Sequence, residues 1–220
     1  MSQLANYVGE SWLFPLKSAL NLFQEEIAPV LSLRKQELMS QSDETGQVQM
    51  FPKESQVFRA LQGCPYPSVR FVVIGEKPIP SEFSTGLCFD QRINTPTNQM
   101  SASCRCFLRL LQSRGTIALG NPHSYLEHLP RQGVLLLNSQ WTTEKVAPER
   151  HELLPWRKFT EELVLQLQKI PRPITWVLMG KNKGLQIAND RHTVVRGPLI
   201  GPASLRFWQQ NFPFHDGIIW

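Results

Sequence analysis

The chain has 220 residues, 41% of them hydrophobic and 10% aromatic, with 23 Lys and Arg against 18 Asp and Glu for a formal net charge of +5. That length and apolar content suit a packed fold with a sizeable core and argue against disorder, and the positive balance points mildly to an anionic partner. The longest apolar runs are four-residue pieces such as Phe71 to Ile74 and Val134 to Leu137, far short of the ~20 residues of a transmembrane helix, so no membrane partner is expected.

Taken in chain order, the N-terminus has no basic start followed by an apolar stretch, so no secretory signal is expected. Residues 10 to 39 carry Trp12, Leu16, Ala19, Leu20, Phe23 and Ile27 at roughly helical spacing. This predicts one or two helices, with Pro15 near a start and Pro29 as a break. Ser40 to Gln49 is polar enough for a loop, and Lys53 to Leu61 reads as a further helix. Val69 to Ile74, Gly133 to Leu137, Ile174 to Met179 and the shorter His192 to Arg196 read as buried strands. Runs this apolar suit strands covered on both faces, as in a parallel sheet. Helices are predicted between them at Ser101 to Gln112 and Trp156 to Gln168, the second with a stripe of Trp156, Phe159, Leu163, Leu167 and Ile170. Alternating strands and helices predict an α/β fold, a parallel sheet flanked by helices. No linker divides the chain, so residues 1–220 read as one domain, with 1–50 its N-terminal helical part. The four cysteines, Cys64, Cys88, Cys104 and Cys106, have no C-x-x-C spacing. They read as free thiols in a reducing intracellular compartment, cytoplasmic or nuclear, and no metal or other cofactor is expected.

In such folds ligands bind beyond the carboxyl ends of the strands. The segments found there are Gly75 to Pro80, Asn138 to Gln140, Gly180 to Gly184 and Gly197 to Pro202. Asn121-Pro122-His123-Ser124-Tyr125-Leu126-Glu127, leading into Arg131-Gln132-Gly133-Val134-Leu135-Leu136-Leu137-Asn138, resembles the N-x-G-Y-L-E…R-Q-G-V-L-L-L-N stretch of the Ung-type uracil-DNA glycosylases. Leu154-Pro155-Trp156 through Phe159-Thr160 is similar to that family's G-W-x-x-F-T, and Arg191-His192-Thr193-Val194 to its R-H-H-V. The collinear match runs from about Phe51 to Phe212. It implies a four-stranded parallel sheet flanked by helices, and a protein that flips a nucleotide out of DNA into a pocket, because the glycosidic carbon cannot be reached inside the stack.

The same resemblance marks where this chain departs. The family's G-Q-D-P-Y-H loop is Gly75-Glu76-Lys77-Pro78-Ile79-Pro80 here. The water-activating carboxylate position is Lys77, whose ammonium can neither act as a carboxylate base nor stabilise a sugar cation. The tyrosine that crowds thymine is Ile79, the loop histidine is Pro80, and Glu76 adds a carboxylate one residue early. The family's H-P-S-P-L-S becomes Leu199-Ile200-Gly201-Pro202-Ala203-Ser204. Leu199 stands for the histidine that hydrogen-bonds the departing base, and Ala203 for the leucine wedged into the DNA stack. Other positions match. Phe89 corresponds to the phenylalanine that stacks on uracil, Asn138 to the amide that reads its edge, and His151 to a family histidine.

The resemblance therefore implies a base pocket of Phe89, Asn138, Ile79 and Glu76, DNA contacts from Lys77, Pro202, Ala203 and Ser204, and degenerate catalytic positions at Lys77 and Leu199. Each lost group is worth ~100-fold or more in rate, so the expectation is a pseudoenzyme. Its expected partners are DNA, including uracil-containing or abasic DNA, or a protein. The alternatives are an active glycosylase of altered specificity using Glu76 or Lys77, with Lys77 as nucleophile in one form, and a protein-interaction scaffold. Lys77 in an ion pair, and Asn138 and Phe89 as plain core, are the structural readings of the same residues. The basic loop Gly180 to Gly184 reads equally as a phosphate contact or a solvated turn.

Overall fold

The computed structural model describes residues 7–41, 50–115, 123–188 and 190–220. The strands are β1 (Met50–Phe51), β2 (Phe71–Gly75), β3 (Val134–Asn138), β4 (Thr143–Glu144), β5 (Thr175–Met179) and β6 (Thr193–Gly197). β2, β3, β5 and β6 form one parallel sheet in the order β3-β2-β5-β6, and β1 pairs with β4 in a separate antiparallel ladder. Every residue of β2 and β3 is buried, as expected of parallel strands with helices on both faces. The register sets Val73 beside Leu136 and Gly75 beside Asn138. The edge strand β6 is less enclosed, with Thr193 exposed.

The helices are α1 (Glu10–Leu13), α2 (Lys17–Leu22), α3 (Ala28–Gln41), α4 (Arg59–Gly63), α5 (Ala102–Gln112), α6 (Trp156–Leu167) and α7 (Leu205–Asn211). Ser101 caps α5 by accepting the Cys104 N–H at 3.1 Å, which satisfies one of the free donors of the first turn. Along α6 the predicted stripe is buried, and Ile170 just beyond it is buried too. Trp156 stacks on Trp141 and Phe23, while Phe58 and Phe159 pack edge-on or tilted among the same rings. This aromatic cluster carries the N-terminal helices onto the sheet. All four cysteines are free and buried. No helix among the described residues is long and apolar enough to cross a membrane.

The architecture follows the predicted order, with strand ends displaced by one or two residues. Pro29 is a correction: it does not break the chain but lies second in α3. A π turn, Phe23–Ile27, precedes it, and the Ala28 N–H reaches back to the Phe23 carbonyl. The wider turn makes room for the proline ring inside a helical stretch that runs on from Lys17 to Gln41. Lys53 to Leu61 is divided into a 3₁₀ turn, Glu54–Gln56, and α4. At the division a Cβ on Gly86 would collide with the Gln56 carbonyl, so another chain segment crosses where a continuous helix would run. Ser40 and Gln41 end α3, and the rest of the predicted loop, 42–49, lies outside the described residues, as do Asn121 and Pro122.

The N-terminal part is also fastened by charge. Glu144 on β4 has a side chain 1% exposed, and it accepts from Arg34 Nε at 3.1 Å and Nη2 at 2.9 Å. A buried carboxylate left without its guanidinium costs about 3 kcal/mol or more. Arg34→Met is therefore expected to lower unfolding stability in urea by about that amount, and Arg34→Met/Glu144→Met to lose clearly less. Equal losses in the two variants would show that packing by the arginine stem, not charge pairing, secures α3.

Candidate functional site

The chain passes from β2 to β3 on one side, then to β5 on the other side of β2. Strand order thus reverses at β2, and the crevice of an open α/β sheet lies beyond the carboxyl end of the strand where this happens. Here that end is Gly75. A Cβ on Gly75 would sit 2.8 Å from Phe89 Cζ and 3.1 Å from Asn138 Oδ1. The glycine lets an aromatic edge and an amide oxygen approach the same backbone position.

Phe89 takes φ 61°, the left-handed region, which costs a non-glycine residue on the order of 1–3 kcal/mol and persists only where the surroundings impose it. Its ring packs tilted on Phe107 at 5.2 Å and is nearly enclosed. Asn138 is 5% exposed, and its Oδ1 has no hydrogen-bond partner among the described residues. A buried acceptor without a donor is costly. Beside an aromatic edge, it suits a flat ring that carries an N–H. The end of β2 is braced from both flanks. Asn182 Nδ2 donates to the Gly75 carbonyl at 2.8 Å and the Met179 carbonyl at 3.1 Å, and the Ser139 N–H donates to the Gly75 carbonyl at 2.9 Å.

The loop after β2 divides its side chains. Glu76 Oε1 accepts the Lys181 N–H at 2.8 Å and lies against Gly180, where it fills the space that a Cβ would take and where φ is +63°. Its carboxylate is on the β5 side of β2, whereas Asn138 is on the β3 side. Lys77 is exposed, and its Nζ lies 3.9 Å from Glu152 Oε1, with both side chains more than 40% exposed. Such a pair contributes little, about 0–1 kcal/mol. Pro78 is buried, Ile79 is half-buried against the core and Pro80 is exposed.

Beyond β6, Leu199 is 39% exposed, and Pro202 and Ala203 are exposed at the loop tip. Ser204 is buried, and its hydroxyl is held by the Leu199 carbonyl at 2.7 Å and the Gly201 N–H at 3.0 Å. Ser204 therefore shapes the loop from inside, and the outward positions are Leu199, Pro202 and Ala203. The basic turn Gly180–Gly184 presents Lys181 and Lys183 to solvent and buries Asn182.

Two further buried groups lie near this edge: His151, matched above to a family histidine, and Asp90, which was not singled out in the sequence. His151 is buried, with Nδ1 2.8 Å from Thr142 Oγ1 and Nε2 3.7 Å from Glu144 Oε2. Burial holds its pKa below the usual value, against the pull of Glu144. Asp90, fully buried behind Phe89, is raised to about 6 by desolvation. An acid directly after Thr-Gly-Leu-Cys-Phe was visible, but its burial was not. Among the described residues no group of three His, Cys, Asp or Glu is placed to hold a metal ion.

The fold and this edge define an α/β protein with a narrow aromatic-and-amide cradle at the switch point of its sheet. No family model matches the chain. It is 32% identical over 179 residues to a uracil-DNA glycosylase of a Sinorhizobium species, covering 77% of either chain. The solved mimivirus uracil-DNA glycosylase superposes with a TM-score of 0.66 at 17% identity, over 88% of this chain and 69% of that one. The enzyme structure from Nitratifractor salsuginis gives 0.61 at 20% identity, over 93% and 92%. These structures carry the fold alone; the sequence relative carries the family, and the chain belongs to the uracil-DNA glycosylase family.

Two outcomes follow from the geometry. Gly75→Ala pushes the Phe89 ring and the Asn138 amide apart and is expected to cost about 1–3 kcal/mol in chemical denaturation, as overpacking does; an unchanged midpoint would mean that the cradle yields freely. His128, His151 and His192 are all held below their usual 6.5 by burial. They stay neutral where the unfolded chain takes up protons, so their contribution is full above about 6.5 and is lost as pH falls. Asp90, raised to about 6, acts oppositely below that pH, so the melting temperature is expected to fall as the pH drops through about 6.5, with Asp90 opposing the fall below about 6. His192→Asn, which keeps an acceptor for the Ile174 N–H, is expected to flatten that fall.

Proposed function

We propose that this chain is a non-excising member of its family, a single domain over residues 1–220 that binds DNA as an accessory protein in repair or replication. The observation that carries the reading is the division of the loop after β2. The one carboxylate in it, Glu76, is taken up by Gly180 and the Lys181 N–H. The position that the family resemblance assigns to the water-activating carboxylate is Lys77, exposed and loosely paired with Glu152.

Excision needs negative charge beside the sugar as it becomes cationic, and a donor to the base as it leaves. Lys77 supplies the wrong sign at the first place, and Leu199 supplies no donor at the second. What the edge retains suits binding rather than bond cleavage. The cradle of Phe89, Gly75 and Asn138 offers an aromatic edge and an unsatisfied acceptor. Lys77, Lys181 and Lys183 face solvent at the same end of the sheet, where ammonium groups displace counterions from phosphates. The tip of Pro202 and Ala203 is too small to plug a vacated stack, which favours single-stranded or already disrupted DNA.

The test is uracil release from single-stranded DNA, with binding followed across a salt series. The unmodified chain is expected to release no uracil above background and to bind with a log–log salt slope of about −2 if three lysines meet phosphates. The variant Lys77→Asp/Leu199→His is expected to regain release by about 100-fold or more over the parent. Excision by the unmodified chain at the rate of an ordinary family member overturns the reading. Salt-independent or negligible DNA binding replaces it with a protein-interaction scaffold.

A further inference from the structure

Asp90 has no place in the proposed binding site, yet it is a fully enclosed acid directly behind the cradle. It is 0% exposed and follows Phe89 directly. Its Oδ2 accepts the Thr85 hydroxyl at 2.7 Å, and its Oδ1 accepts the Leu126 N–H at 3.1 Å. The Ser124 hydroxyl faces the same carboxylate and favours its charged form, although its oxygen is not placed for a formed hydrogen bond. Thr85 Oγ1 is engaged in turn by the Leu87 N–H at 3.4 Å. Isolated bridges Ser84–Gln91 and Arg92–Ser124 bracket the residue. Asp90 therefore lies where the segment bearing Phe89 crosses the segment 124–126.

Every group aimed at this carboxylate is a donor or a hydroxyl able to donate. Such a shell suits an anion, whose hydrogen bonds are charge-assisted; a proton on Oδ1 would turn the Leu126 N–H away, and one on Oδ2 would reverse the bond to the Thr85 hydroxyl and leave it neutral and weaker. Burial opposes that charge, so the anion persists only through these donors. The neighbouring backbone is the strained one, with Phe89 at φ 61°.

We propose that Asp90 is a positioning residue whose anionic carboxylate, by gathering Thr85 and the Leu126 amide, holds Phe89 in its left-handed conformation with its ring edge against Gly75 and beside Asn138. The inference rests on the reading of that cradle as a base-binding pocket. Protonation of Asp90 slackens the crossing and lets the ring leave its place, so base binding depends on the charge of a group that the base never touches.

The groups facing Asp90 are Arg59 from α4, Cys104 from α5, Tyr125 from the crossing segment and Cys88 from its own. Burial raises both thiols and the phenol above their usual values, so they stay neutral between pH 4 and 8. Arg59 is paired with Glu127. His128, two residues beyond Leu126, titrates on its own account below 6.5, and His128→Asn serves as its control.

The experiment is fluorine NMR of the full chain with 4-fluorophenylalanine at position 89, run from pH 4 to 8 beside affinity for a uracil-containing single-stranded oligonucleotide. The resonance is expected to move with a midpoint near about 6, to move likewise in His128→Asn, and to stay fixed in Asp90→Asn. Affinity at pH 7.5 relative to pH 5 is expected to be about fivefold higher in the unmodified chain than in Asp90→Asn, a modest coupling. A fluorine resonance that moves identically in Asp90→Asn overturns the inference. A resonance that titrates as expected while uracil adds nothing to affinity at any pH retains the positioning role and sinks the base-pocket reading. Should Asp90→Asn not fold, carbon NMR of the Asp90 carboxyl in the unmodified chain decides: a midpoint shared with the fluorine supports the role, and separate midpoints overturn it.

Discussion

The arrangement at the sheet edge depends on the absence of a side chain at Gly75. Strand order reverses there, so the loops from either side of β2 converge on one backbone position. A single added carbon would meet both the Phe89 ring and the Asn138 oxygen. Because nothing occupies that space, the ring edge and the amide stand together, and the strained backbone of Phe89 can be kept. The register sets Gly75 opposite Asn138 at the end of five paired, buried positions in each strand. A polar juxtaposition thus stands directly at the rim of the hydrophobic core.

Two buried carboxylates support that rim by different means. Glu144 is matched by a guanidinium in two hydrogen bonds, a geometry that balances its desolvation and ties the N-terminal helix to the ladder of β1 and β4. Among the described residues Asp90 has no cation in hydrogen-bond contact, and it relies on a hydroxyl and an amide. Its charge is correspondingly less secure, and it lies behind the cradle rather than in the outer scaffold. Fold and site thus draw on burial of the same kind of group with opposite margins.

Family membership and the proposed loss of excision rest on different parts of the chain. The relative from Sinorhizobium shares the family over more than three quarters of either chain. Membership follows from the strands, the turns and the spacing between them. Chemistry depends on which atoms face the cradle, and that is decided by a few side chains whose exchange leaves the fold intact. Glu76 illustrates the point: a carboxylate is present in the right loop, but it turns toward Gly180, because that glycine leaves a space and the next N–H offers a bond.

The sheet was legible because its strands are continuous apolar runs, and the helix α6 because its stripe keeps one phase from Trp156 to Leu167. The ladder of β1 and β4 was not, since two-residue strands carry no period to read. Pro29 misled because a π turn upstream absorbs it, and such turns leave no compositional mark. At the site, Phe89, Asn138 and Lys77 were visible as positions, and their surroundings were not. By itself the sequence determined the order of the four sheet strands and the main helices between them, the family resemblance, and the residue Lys77 in the loop after β2, because periodicity and motif spacing are local properties of the chain. Only the tertiary structure decided that Glu76 faces away from Asn138, that Ser204 is turned inward, and that Asp90 is sealed behind Phe89, because direction and burial are set by segments distant in sequence that meet only once the sheet has formed.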